Sequence, residues 1–440
     1  MHGEITRKEK ITAFSVGVLV GLVILGAALS QLPAVQRSIG WRVDFAMTFL
    51  RGVVDPVKPM PTAASVAQAV DGASSDGENL PVPVLAEHTP QPSATPSPQP
   101  TMETPVTPEP TFTLAPTLTP TAIPEKVELK PPSYEEQDLN NCGPATLSMH
   151  LRYYDWQGDQ KTISDLIKPK REDRNVNVEE LAAYVHTKVP GIEILYRVGG
   201  DIDILKRLIA AGFPVTIEEG FTMAESYWMN DDRWAGHYLL LTGYDDAVQR
   251  FTVQDVFVGP NISMPYSVVD ENWQAFNRVY VVVYPVEQRE QVKSILGEHW
   301  DADFNRQHAL EAAKSAAEAD PTDSYAWFNY GTNLVYFERY AQAAHAYDQA
   351  RNAGLPQRML RYQFGPFFAY FHTNRIEDLL ALTEYALKRT PNSEEALLWR
   401  GWGMYRQGNR EESLKAFQEA LAARPEFPDA IYGLNFLRDN

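Results

Sequence analysis

Apolar residues along this chain change their period several times, and each change marks a boundary. From Ile11 to Leu32 they run almost unbroken (ITAFSVGVLVGLVILGAALSQL), and no charged residue occurs from Ile11 to Gln36. At about 1.5 Å per residue such a run spans a hydrocarbon core about 30 Å thick, so residues 1–36 read as a short tail and one transmembrane anchor. Arg7, Lys8 and Lys10 precede it and favour an N-terminus in the cytoplasm, although Arg37, Arg42 and Arg51 reduce the contrast. Ala28-Leu29-Ser30 has the small-x-small spacing of a cleavage site, but the apolar run is longer than that of an ordinary signal peptide, which favours an uncleaved anchor. Over 37–54, Trp41, Phe45, Phe49 and Val53 recur every four residues, as in an interfacial helix or a continuation of the anchor. From 55 to 132 the chain is dense in Pro, Thr, Ser and Ala, with too few large apolar groups to offset ordering entropy. It is expected to be a disordered spacer, extended by its prolines at about 3.1 Å per residue, that holds the C-terminal two thirds of the chain away from the membrane.

Between Tyr134 and Pro285 the pattern is mixed. Helical spacing over Gly143–Trp156, Asn177–Val189 and Ile202–Ala211 gives way to strand-like runs, FPVTI, HYLLLTGY, FTVQDV and VYVVVYP. Helices first and strands later predict an α+β domain over 133–286 with an antiparallel sheet. Beyond Val286 the chain turns helical and repetitive: Pro321, Pro356, Pro391 and Pro425 are spaced 35, 35 and 34 residues apart, each closing an Ala-rich amphipathic helix. That period, with Trp327, Gly331, Ala343, Tyr347 and Ala350 in one unit and Gly401, Ser413, Phe417, Ala420 and Pro425 in another, predicts an all-α tetratricopeptide-like solenoid over 300–440. The middle unit is looser, with Gly365, Ala386 and Pro391, and Asp429–Leu437 is placed as a cap. Such a stack offers a groove to a protein or peptide partner.

Charge and cysteine content narrow the chemistry. The 440 residues carry a formal charge of -18 with no Lys/Arg-rich run, which excludes nucleic acid as a partner. One cysteine rules out an intrachain disulfide and a zinc site built on several thiolates. No His-x-x-x-His pair with a nearby acid, Gly-rich phosphate loop or calcium-loop spacing occurs, so no metal or cofactor is expected. The lone thiol is either buried filler or a reagent.

The stretch QDLNNCGPATLSMHLRYYDW bears on that choice. Leu147, Leu151 and Tyr154 share a helical face, and Pro144 is tolerated in a first turn, so a helix begins near Gly143 with Cys142 at its N-terminus. There the helix dipole and unpaired N–H groups favour a thiolate and can hold an oxyanion, with Gln137 as a candidate side-chain donor. Further on, GHYLLLTGYDDAVQRFTVQDV reads as a hairpin. With its turn near Asp246, it pairs His237 with Asp255, Leu239 with Val253 and Leu241 with Phe251, near enough for a carboxylate to hold an imidazole N–H. Asp245 and Asp246 are rivals for that role but resemble turn residues. Glu218, Glu219, Asp231 and Asp232 read as solvated loop charges, or as a cleft lining that favours basic peptides.

Gln137, the run Asn140-Asn141-Cys142-Gly143-Pro144-Ala145-Thr146, Gly236-His237-Tyr238, Thr242-Gly243-Tyr244-Asp245 and Gln254-Asp255 together resemble the papain-like cysteine peptidase family typified by bacteriocin leader-processing peptidases, in its stand-alone extracellular branch. The resemblance covers about Tyr134 to Pro285. It implies Cys142 as nucleophile, His237 as general base and acid, Asp255 as orienter and Gln137 as oxyanion donor. Many relatives have proline after the aspartate, where this chain has Val256. The expectation is therefore an anchored, extracytoplasmic cysteine peptidase acting on a peptide or protein. A catalytically idle scaffold, a cell-wall peptide hydrolase and an acyl transferase stay open.

Overall fold

The computed structural model describes Val54, Met60, Pro61 and residues 123–168, 176–223 and 233–439. The expected anchor, most of 37–54 and most of the linker lie outside these residues. Among the described residues no helix is long and apolar enough to cross a membrane.

A seven-stranded antiparallel sheet forms the centre of the first domain. Its strands are β1 (Lys126–Glu128), β2 (Ile192–Arg197), β3 (Val215–Thr222), β4 (Trp234–Asp245), β5 (Arg250–Asp255), β6 (Gly259–Pro265) and β7 (Tyr280–Pro285), in the order β2-β7-β3-β4-β5-β6, with β1 pairing on β4. The folded part thus begins before the expected boundary at 133, because Lys126–Glu128 pairs with Gly243–Asp245 and Lys126 bridges Asp245 at 2.7 Å. Alternation sorts the strands onto two faces. Tyr280, Val282 and Tyr284 of β7 and Leu239 and Leu241 of β4 pack on one side, with α4 (Ile202–Ala210) and α6 (Arg289–Leu296). Val281 and Val283 of β7 and Tyr238 of β4 face the other side. Strands buried on both faces read as continuous apolar runs, which is why VYVVVYP and HYLLLTGY stood out. Burial of each such side chain is worth about 1.5–3 kcal/mol.

On that second side lies α1 (Cys142–Arg152), buried from Gly143 to Leu151. Ala145 and Met149 pack on Leu240 and Val256, while Leu147 and Leu151 meet α2 (Gln160–Ile167) and α3 (Val178–Lys188) through Ile163, Leu181 and Val185. The helix ends at Arg152 rather than Trp156, because the chain turns at Asp155, whose φ is 61°. The sequence pattern did not announce α2, β2, β6 and α5 (Tyr266–Trp273), which are short; β6 (GPNISMP) is half polar and carries two prolines, so it has no apolar alternation.

The remaining helices are α7 (Ala302–Ala319), α8 (Ser324–Tyr336), α9 (Tyr340–Ala353), α10 (Gly365–His372), α11 (Ile376–Arg389), α12 (Glu394–Arg406), α13 (Arg410–Ala423) and α14 (Pro428–Asp439). They stack as antiparallel pairs, α8 on α9, α10 on α11 and α12 on α13, with α14 packed on the last pair. Small residues permit the close approach: a Cβ at Gly331 would lie 2.8 Å from the Tyr347 ring, and one at Gly401 would lie 2.5 Å from the Phe417 ring.

The repeats do not hang free of the first domain, since one apolar core runs from Leu147 and Val281 to Phe328, Trp399 and Phe436. Carboxamides complete the joint. Asn305 accepts from the Val198 N–H at 3.0 Å and donates to its carbonyl at 2.9 Å, Asn277 and Asn333 exchange bonds, and Asn329 and Gln363 donate to the Gln274 and Ala275 carbonyls. Leaving a buried backbone pair unmet costs about 1–3 kcal/mol per group. Asn305→Leu is therefore expected to lower unfolding free energy in urea by roughly that amount or more; a midpoint equal to wild type would show that the clasp contributes nothing.

Candidate active site

Cys142 is the first residue of α1, behind the N-cap Asn141, and is partly exposed. No acidic residue in the first turn offsets the positive helix end. The loop in front of the thiol is pinned from below by Gln160, a residue that sequence reasoning missed. Its side-chain oxygen accepts from the Asp138 N–H and the Asn141 amide, both at 2.7 Å, and its amide donates to the Glu136 carbonyl at 2.8 Å. Lys168, also missed, donates to the Asn140 carbonyl at 2.8 Å. Asn140 has φ 52°, a conformation that Asn accepts more readily than most residues, which accounts for an asparagine in this tight turn. Gln137 sits in the same loop, its N–H bonded to the Val256 carbonyl at 2.9 Å, with its side-chain oxygen buried and unpartnered.

The hairpin register differs from the expected one by two residues. Leu239, not His237, lies opposite Asp255, and Leu241 lies opposite Val253; beyond an irregularity at Thr242, Gly243 faces Thr252 and Tyr244 faces Phe251. The tip loop occupies 246–249, centred beyond Asp246, and the bulge absorbs one residue. His237 and Asp255 are thus diagonal neighbours, a separation that long side chains bridge. His237 Nε2 lies 2.8 Å from Asp255 Oδ1, with both side chains 6 % exposed. Asp255 Oδ1 also accepts the N–H groups of Phe257 and Val258, at 2.8 and 3.1 Å. Val256 does not disturb this, because its side chain is buried against Ala145 and Met149 and Tyr134 Oη holds the Asp255 carbonyl at 3.0 Å. Asp245 and Asp246 are engaged elsewhere, with Lys126 and with Lys206 and Tyr266.

With Nε2 turned to the carboxylate, the other ring nitrogen is left for the thiol, and the Cys142 and His237 side chains are electrostatically coupled. Desolvation opposes ionisation of the thiol, but the bond and charge of His237, the Tyr238 N–H and the Lys168 charge outweigh it and hold Cys142 below the usual thiol range. Burial would lower His237 too; Asp255 and Cys142 instead raise it to about 10. Asp255 is kept below the ordinary carboxylate value despite burial, by His237 and the two loop N–H groups. The favoured state near neutrality is a thiolate beside an imidazolium.

Two further acids border this pair. Glu218 and Glu219 are not solvated loop charges but buried members of β3, opposite Tyr238 and His237; Asp231 and Asp232 lie outside the described residues. Burial raises Glu218 well above its normal range. It raises Glu219 to about 7, against the pull of His237 and of a bond from Asn272. Phe221 and Phe257 pack edge-on to the imidazole. Among the described residues, no group of three or more His, Cys, Asp or Glu is disposed to hold a metal ion.

These shifts have measurable signs. Alkylation of Cys142 by iodoacetamide is expected to stay fast below about pH 8.5, where a free thiol slows. In His237→Ala, desolvation is left without its main opponent, so the rate at pH 7 should collapse; a profile matching wild type would contradict the ion pair. Glu219 turns negative around pH 7 and then favours the imidazolium beside it. Glu219→Gln should therefore lower the pH at which the His237 ring loses its proton, read by ring-proton NMR, and an unmoved titration would contradict that coupling.

Residues 128–281 match the profile of the Peptidase_C39 like family, and residues 394–427 match that of the tetratricopeptide repeat. No curated protein matches the chain. Among solved structures, a protein of Bacillus anthracis described as a C39-like peptidase is similar at 16% identity, over 37% of this chain and 98% of that one, with a TM-score of 0.29. Xylellain, a cysteine protease from Xylella fastidiosa, is similar at 18% identity, over 38% and 87%, with a TM-score of 0.28. YrrB, a tetratricopeptide protein with an unusual peptide-binding site, is similar at 18% identity, over 39% and 81%, also with a TM-score of 0.28. The segment that carries Cys142, His237 and Asp255 thus matches the Peptidase_C39 like family and is followed by a match to the tetratricopeptide repeat.

Proposed function

We propose that this chain is a membrane-anchored cysteine peptidase whose catalytic and repeat domains lie outside the cytoplasm and act on peptide or protein substrates. The observation that carries the reading is the buried relay in which Asp255 holds one nitrogen of His237 and leaves the other to a thiol at a helix N-terminus. In this reading the Cys142 thiolate attacks the scissile carbonyl carbon, and the oxyanion is held by N–H groups at the start of α1 and by Gln137. His237 gives its proton to the leaving amine, and a thioester remains on the sulfur. His237 then takes a proton from water, which attacks the thioester; the acid leaves and the thiolate and imidazolium are restored. Asp255 fixes the ring and stabilises its charge throughout. The chemistry calls for no cofactor. The repeats supply surface for a protein or peptide, and the apolar run over 11–32 behind Arg7, Lys8 and Lys10 supplies the anchor and its orientation.

A thiol-directed peptidyl probe should label the wild type and not Cys142→Ala. On a cleavable peptide, His237→Ala should lower kcat/KM by roughly 10⁴-fold or more. Asp255→Asn should cost up to about 10⁴-fold, and Gln137→Ala about 10²- to 10³-fold. Folded, reduced wild type that takes up no probe would remove the peptidase reading. Cleavage of peptidoglycan peptides in preference to a protein-derived library would redirect it to the cell wall.

A further inference from the structure

We propose that the repeats carry a binding site for an extended main-chain segment, built around Arg351, and that the chain's own Met60–Pro61 fills it. Arg351 lies near the end of α9 with its side chain 1% exposed. One arm of its guanidinium is engaged within the repeats, where Nη1 donates to Tyr370 Oη at 2.9 Å and Asp378 Oδ1 at 3.2 Å. The remaining donors converge on a single acceptor from 290 residues away: Nε and Nη2 both reach the Pro61 carbonyl, at 3.0 and 2.6 Å. Met60 packs against the common apolar core.

The pocket is held in place by contacts that do not involve this segment. Tyr370 donates to Asp348 at 2.8 Å, Arg375 grips Asp348 at 2.6 and 2.9 Å, and Arg375 also bridges Asp378 at 2.8 Å. Two arginines thus face two aspartates, so the charges balance without an added carboxylate, and the fork is pre-organised before anything docks. It lacks only a neutral acceptor for two N–H groups, which a main-chain carbonyl supplies. The occupant suits the site. Met60 stands between Pro59 and Pro61, and a residue before proline is confined to extended backbone, so ordering this segment costs little entropy.

Docking changes what the Pro/Thr-rich stretch does. Pro61 is bound by the repeats, and Ile123 packs against the core on the other side of the sheet. Pro61 and Ile123 are therefore both seated on one folded body, so the Pro/Thr-rich stretch between them does not separate that body from the segment before it. With the anchor proposed above, the distance to the membrane is set by residues 37–59. That consequence rests on the anchor reading, whereas the docking itself does not.

The test is a photo-cross-linking residue, p-benzoylphenylalanine, placed at Met60 of the full chain. Irradiation should give an adduct at monomer mass that maps to peptides of α9–α11. Arg351→Ala should cut its yield by roughly tenfold or more, the loss expected when hydrogen bonds to a charged group are removed. Arg351→Lys, which keeps the buried charge without the fork, serves as second variant and should also lose yield; far-UV circular dichroism establishes that each variant is folded. Adducts mapping elsewhere, or a yield unchanged in both folded variants, would overturn the proposal. Adducts joining two differently tagged copies would overturn the cis occupancy in favour of a second molecule. Cys142→Ala should leave the adduct intact, so failure here and failure of the peptidase reading are separately visible.

Discussion

A hydrogen bond hidden from water, between His237 and Asp255, sets the electrostatics of the whole site. Burial by itself would strip the charge from the imidazole, the carboxylate and the thiol alike. Here each charged group is held by another: the carboxylate by the ring and two loop N–H groups, the ring by the carboxylate and the sulfur, the thiolate by the ring, the Tyr238 N–H and Lys168. Such a set is stable only when complete, because one member removed leaves an uncompensated charge in a dry place. That is why the surrounding architecture constrains the geometry so closely, with Gln160 and Lys168 clamping the loop before the thiol and Tyr134 clamping the strand end at Asp255.

The repeats belong to the same construction. Tyr362, from the irregular segment between α9 and α10, lies against Trp234, Phe276 and the open face of Gly236, one residue before the imidazole. Arg424, from the end of α13, bridges Glu180 of α3 at 2.7 Å. The strand that carries His237 is therefore packed against the repeat array as well as paired with β3 and β5. A module expected only to offer a groove to partners also forms part of the wall behind the site, and the two domains share one apolar core.

Local chemistry left clear marks in the sequence wherever a residue's role depends on its neighbours along the chain. Cys142 at a helix start followed from Pro144 and the spacing of Leu147 and Leu151, and the repeats followed from prolines at nearly constant intervals with Gly331 and Gly401 opposite Tyr347 and Phe417. Apolar runs in HYLLLTGY and VYVVVYP announced the central strands. Glu218 and Glu219 misled because two adjacent carboxylates ordinarily mean solvent; nothing within β3 itself reveals that neighbouring elements will bury both.

The sequence by itself determined the class of each folded segment and the thiol's place on its helix, since these depend on periods acting within a few residues, and it offered His237 and Asp255 as candidates through a hairpin pattern and a family resemblance. Only the tertiary structure decided that Leu239 rather than His237 faces Asp255, because a bulge and the true centre of a turn alter register without altering composition. It alone also decided that Gln160, Lys168 and Glu219 border the site and that Arg351 meets Pro61. Those contacts join residues from 18 to 290 positions apart, and their strength depends on the exclusion of water, which is a property of the packed whole and not of any stretch of chain.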